Sequence, residues 1–207
     1  MCGCTLVGRP ACSASPFRRD RTWLDVSRVP RRLTNNAVSP VRAESQRMQP
    51  LQDLYPDDFA HCYGCGRLNA HGLHVKSEWH AGEAVARFRP AEYQVALPGF
   101  VYGGLIASLF DCHAMATAAA ASMEAMGAKP GIDPTPRFVT ASLQVDFLRP
   151  TPLGPELLLR GRATEVGERK VLIEATLFAA DAECARARVV AVRRPATMDQ
   201  ATPATTR

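Results

Sequence analysis

Positive charge is missing where a nucleic-acid-binding chain would need it. The 207 residues carry a net charge of +5, but the surplus sits at one end. Residues 1–47 hold nine arginines, no lysine and three acids, whereas residues 48–207 hold 16 basic and 17 acidic side chains. A near-neutral body has no basic face to track phosphates, which excludes nucleic acid as a partner. The N-terminal segment has no apolar run of signal-peptide length, and prolines at 10, 16, 30 and 40 interrupt it. Its Arg-rich, acid-poor composition superficially matches a transit peptide, but Asp20, Asp25 and the prolines weaken any amphipathic helix. Residues 1–50 are therefore expected to be a disordered extension, and 196–207 a loose tail. The seven cysteines are odd in number, and a chain of this length has a core of its own, so a disulfide framework is not expected. The implied setting is reducing and cytoplasmic. Internal repeats and a second domain are also lacking.

What is present is a run of periodic segments over 51–195. Leu73–Trp79 alternates apolar and polar residues, the period of a half-buried strand, and 84–89 repeats it after a turn at 80–83. Gly103 to about Met126 is rich in Ala, Leu and Met and too long for a strand, so it reads as one helix, ended by Gly127, Pro130 and Gly131. A membrane span is rejected there, because Asp111 and His113 lie mid-segment and alanine is weakly lipophilic. Four further strands follow: Phe138–Phe147, Glu156–Val166, Lys170–Ala179 and Glu183–Val192. In the first, Val139, Ala141, Leu143, Val145 and Phe147 are expected on one face, and Thr140, Ser142, Gln144 and Asp146 on the other. The fold class is α+β: six mostly antiparallel strands, curved around one long central helix that covers their apolar face.

Asp111 is the only charged residue between Gly99 and Met123. A carboxylate in a helix that must be buried is costly unless paired or useful. It lies two turns past the helix start, which excludes an N-cap role and leaves a buried ion pair or chemistry. Gly103-Gly104 at the helix start lets another group approach backbone N–H donors that favour negative charge. A carbonyl becoming an oxyanion would be stabilised there. Gly104 and Asp111, seven residues apart, share a helix face at about 10 Å, with room between for a carbonyl and a water.

At this point the chain resembles the acyl-CoA thioesterases of the hotdog superfamily, in their PaaI-like and THEM-type branch, over about residues 55–194. Three motifs carry the resemblance: HCYGCGRLNAHGL at 61–73, GFVYGGLIASLFD at 99–111, and TASLQVDFLRPTPLG at 140–154. It implies a hotdog fold, a homodimer or dimer of dimers with sites at the subunit interface, and hydrolysis of acyl-CoA with coenzyme A as part of the substrate. By the same resemblance the catalytic acid falls on Asp111, the carbonyl-polarising N–H on Gly104, and the water-holding hydroxyl on Thr140, from a partner subunit. Positions that meet substrate fall on Tyr102, Gly103, Asp146, Leu148, Arg149, Arg169 and Lys170. Arg149 with Arg169-Lys170 offers three cations for phosphates. Tyr102 stands where the family usually has histidine. Asp111 is then a general base on water, or a nucleophile forming an anhydride. A non-catalytic hotdog module binding acyl-CoA or another apolar ligand is the alternative. A hydratase is weaker still, for want of a His/Asp pair. No cofactor and no metal are expected: Cys62-x2-Cys65 is half of a zinc site without a second pair of suitable spacing. Cys112 reads as a small core residue with a raised thiol pKa, and His113 as packed or hydrogen-bonded.

Overall fold

A computed structural model of the chain describes residues 49–129, 133–195 and 198. The readings made above for 1–48, 130–132 and most of the C-terminal tail lie outside the described residues. The strands are β1 (Ser77–His80), β2 (Glu83–Phe88), β3 (Val95–Leu97), β4 (Phe100–Val101), β5 (Phe138–Phe147), β6 (Leu157–Val166), β7 (Lys170–Ala179) and β8 (Ala182–Arg193). One helix, α1 (Gly103–Ala125), stands between β4 and β5, and two short 3-10 turns (Leu51–Leu54, Asp57–Phe59) precede β1.

Six strands form an antiparallel sheet in the order β1-β2-β6-β7-β8-β5. Helix α1 touches every strand of it, which a twisted sheet can do only by curving around the helix. The alanines at 114, 116 and 118–121 are buried, and their small side chains let the sheet close on the helix. At the closest approach Gly161 of β6 has no room for a Cβ, which would stand 2.8 Å from Thr117 Oγ1 and 2.9 Å from His113 Nε2. The helix has the length and hydropathy of a membrane span, but this packing buries most of it, as the sequence implied. His113 is a fully buried core residue. Ser77 Oγ lies 2.9 Å from its Nδ1 and accepts from Gln52 Nε2 at 3.0 Å. Burial pushes the imidazole down to about 4, so it is neutral at pH 7.

Three details depart from the sequence expectation. The first strand is shorter than 73–79, because Leu73 and Val75 donate instead to the carbonyls of Tyr63 and Gly64, and His74 takes a left-handed φ of 53°. The stretch 95–101, for which the sequence pattern gave neither strand nor helix, is a small hairpin turned at Gly99 (φ 85°). Its Gln94 carbonyl accepts from Tyr102 N at 3.0 Å, which fixes where α1 begins. In β5 the alternation is broken: Thr140 pairs with Ala191 and Ser142 with Val190, so two residues of β5 stand opposite one of β8. This bulge reverses the facing of side chains across Ala141. Phe138 and Thr140 before it, and Leu143 and Val145 after it, all turn toward the helix.

Candidate active site

The bulge builds the site. It aims the Thr140 hydroxyl at the helix, where it donates to Asp111 Oδ1. Asp111 is half-buried and Thr140 is exposed, so the pair stands where burial meets solvent. Both come from one chain. The hydroxyl partner expected from a second subunit is already in place, because the bulge, which strict alternation hid, turns it inward.

Asp111 and Thr140 line a cavity of about 340 Å³ together with Tyr55, Phe59, Met115, Arg137, Phe138 and three cysteines. Arg137 is sandwiched there, 3.8 Å from the Tyr55 ring centre and 4.2 Å from that of Phe59. Burial pushes the Tyr55 phenol up, so the wall it offers is neutral and largely apolar.

Helix α1 starts without a side-chain cap. Its first bonds run from Leu105 and Ile106 N back to the Tyr102 carbonyl, at 3.1 and 3.3 Å, so the helix makes no use of the N–H groups of Gly103 and Gly104. Tyr102, half-exposed, lays its ring over Gly104: a Cβ there would stand 2.4–2.7 Å from the ring and its hydroxyl. Glycine at 104 is therefore what admits tyrosine two positions before it. Gly104 and Tyr102 line a second cavity of about 390 Å³ with Tyr63, Tyr93, Gln94 and Ser108. Gly104 and Asp111 thus share a stripe of the helix, as expected, but in one chain they open into different cavities. Between them the turn at 61–66 rests on the helix. A Cβ on Gly64 would stand 2.2 Å from Cys112 Sγ and 3.8 Å from the Ser108 carbonyl.

The residues expected to meet substrate divide in the same way. Phe147, Leu148 and Arg149 lie at the end of β5 beside the helix start, with the Phe147 ring 3.4 Å from where a Gly103 Cβ would be. Arg169 and Lys170 lie at the other end of the sheet. Lys170 pairs with Val192, which pairs with Val139, so they flank the Asp111–Thr140 end. Ten residues of strand separate Arg149 from that end, about 33 Å. The three cations are not one group within a chain, because antiparallel pairing sends the β6–β7 turn and the end of β5 to opposite ends of the sheet. Asp146 lies on the outer face of the sheet, 3.8 Å from Arg188, away from both cavities.

Sequence reasoning missed the cysteine cluster. Cys62 and Cys65 flank a tight turn, and Cys112 of α1 meets them: the Sγ atoms of Cys62 and Cys112 are 3.7 Å apart, and all three sulfurs lie within 4.8 Å of one another. A hydrogen bond from Cys112, then one from Cys65, pulls the Cys62 thiol down to about 2. The bond with Cys112 works to lower Cys65 too, but its bond to Cys62 and burial prevail and push it up to about 12. The same bonds, with burial, raise Cys112 well above the ordinary thiol range. The spacing of 62 and 65 was visible in the sequence. The long-range contact to 112 was not.

Residues 98–185 match the family model described as the thioesterase superfamily. A thioesterase superfamily protein from Shewanella loihica PV-4 is 44% identical over 68% of this chain and 100% of its own, with a TM-score of 0.52. Another protein of that superfamily is 26% identical over 72% of each chain, with a TM-score of 0.52. The PaaI protein from the phenylacetic acid degradation operon of E. coli is 17% identical over 59% of this chain and 81% of its own, with a TM-score of 0.49. Among curated proteins none matches the sequence. With the helix, the wrapping sheet and a relative matched along its whole length at 44% identity, the chain belongs to the thioesterase superfamily and has its hotdog fold.

Proposed function

We propose that the protein hydrolyses acyl-CoA thioesters to a free acid and CoA, with Asp111 as the base that activates water. The observation that carries this reading is the Thr140 hydroxyl bonded to Asp111, the one carboxylate on α1 before its last turn, at the mouth of an apolar cavity. A carboxylate held by one donor keeps its other oxygen free to take a proton from water. The attacked carbonyl becomes an oxyanion, and the unused N–H groups at Gly103 and Gly104 are suited to receive it. Because these donors and Asp111 open into different cavities, the working site joins Asp111 and Thr140 of one copy to Gly104 of a second. Exposed apolar side chains gather about the helix start and the hairpin before it, namely Val95, Leu97, Phe100, Tyr102 and Phe147. That is a surface suited to a second copy of the chain. In such a dimer Arg149 of one copy and Arg169-Lys170 of the other can serve the same CoA phosphates. Tyr102 takes the place of the usual histidine and packs its ring against Gly104.

The test is CoA release from a panel of aliphatic and aromatic acyl-CoAs, followed with a thiol-reactive dye and corrected for the protein's own thiols. Turnover of at least one class is expected. A folded, dimeric protein that binds acyl-CoA and turns over none of the panel would establish the non-catalytic module instead.

A further inference from the structure

We propose that Cys62, Cys65 and Cys112 bind one zinc ion, which pins the 61–66 turn to the catalytic helix one residue beyond Asp111. The geometry carries it. Tetrahedral zinc with Zn–S bonds of about 2.3 Å has sulfur–sulfur edges of about 3.8 Å. The Cys62–Cys112 edge is 3.7 Å and no edge exceeds 4.8 Å, so side-chain shifts that shorten an edge by at most about 1 Å seat the ion. A disulfide is a different geometry: its sulfurs approach to about 2 Å, well inside the Cys62–Cys112 separation.

The surroundings of the sulfurs point to the same ligand. The backbone N–H groups of Cys65 and Gly64 lie close enough to the Cys62 sulfur to favour its thiolate, and nearby backbone donors of this kind stabilise metal-bound thiolates. The turn that presents them is tight. Gly66 N donates to the Cys62 carbonyl at 2.8 Å, and a Cβ on Gly66 would stand 2.4 Å from the Ala60 carbonyl oxygen. On its far side the turn is held by Val75 N, which donates to the Gly64 carbonyl at 2.9 Å. Both sequence glycines thus serve to bring two cysteines onto a third. Three thiolates around Zn²⁺ leave a net charge of −1, and the Arg137 guanidinium, in the same cavity and close enough to act on Cys65, balances it. A soft, all-sulfur donor set selects zinc over magnesium or calcium. The three cysteines line the same cavity as Asp111, which leaves a fourth position for a ligand such as water. The ligands bind as thiolates, so loading releases protons to solvent and weakens in acid.

Metal content and spectroscopy test this independently of acyl-CoA turnover, so a failure of either reading leaves the other standing. The full chain, purified without chelator, is expected to carry about one zinc per chain by elemental analysis. Cys62→Ser, Cys65→Ser and Cys112→Ser lose it and Cys184→Ser keeps it. Should a serine variant fail to fold, the unmodified chain still answers. Replacing zinc with Co²⁺ gives sulfur-to-metal charge-transfer bands and the intense visible bands of a tetrahedral site. Either of two results overturns the proposal: a chain with substoichiometric zinc and no such cobalt spectrum, or zinc that persists in all three serine variants.

Discussion

Replacing Asp111 by Asn separates chemistry from folding. The amide has the carboxylate's shape, and its oxygen still accepts from the Thr140 hydroxyl, so the bulge of β5 and the packing of α1 are kept. Asp111 is half-buried and among the described residues its side chain has no cationic partner, so no ion pair is broken. The melting temperature is expected to stay within about 3 °C, the shift produced by about 1 kcal/mol or less in a domain of this size. What is lost is the base. General-base catalysis contributes a factor of about 10² to 10⁴, or about 3–5 kcal/mol at 1.36 kcal/mol per decade. With the thiol-reactive dye, kcat should fall by at least about a hundredfold and KM should move little, because the carboxylate meets the water and not the CoA. Thr140→Val is the companion. It removes one hydrogen bond to a charged group, worth about 1.5–3 kcal/mol, so a fall of about 10- to 100-fold is expected with the carboxylate intact. An Asp111→Asn protein that keeps a tenth or more of the parent kcat refutes the assignment of the base. A Thr140→Val protein with unchanged kcat refutes the view that the bulge exists to serve it.

Gly161→Ala forces a methyl against Thr117 Oγ1 and His113 Nε2; a loss of about 1–3 kcal/mol is expected in chemical denaturation, the range of an overpacked core. Protonation of His113 is confined to the unfolded chain as pH falls from 6.5 toward its folded value of about 4. Unfolding therefore takes up a proton in that window. Stability should be flat in this term above pH 6.5, decline below it by up to roughly 3 kcal/mol, and level off below 4; a His113→Leu variant whose urea midpoint shows the same decline would remove His113 as the cause. Replacing Arg169 and Lys170 together by Ala should raise KM for acyl-CoA about tenfold with kcat little changed, and the effect should shrink at high salt, where phosphate contacts are screened. An unchanged KM would take these cations off the substrate.

Much of the fold was written in local pattern. The length and alanine content of 103–126 marked the one helix, and the breaks after Val166 and Ala179 marked the hairpins to within a residue or two, because both signals depend on neighbours in sequence. Asp111 stood out for the same reason, as a lone charge in an apolar run whose burial the strand count already required. The motif at 99–111 then tied it to Gly104 and to a family.

The rest needed contacts between distant residues. Strict alternation put Thr140 on the wrong face, since a bulge is decided by how β5 registers against β8 and not by the residues of β5 alone. Arg149 and Arg169-Lys170 looked like one phosphate site until antiparallel pairing set them at opposite ends of the sheet. Half of a metal motif at 62 and 65 became a three-sulfur cluster only when Gly64 let the turn lie against Cys112, 48 residues further on. By itself the sequence determined which segments are helix and strand, because periodicity and turn chemistry act over a few residues. Tertiary structure alone decided which side chains share a cavity, because register, bulges and close backbone approaches are properties of pairs of segments.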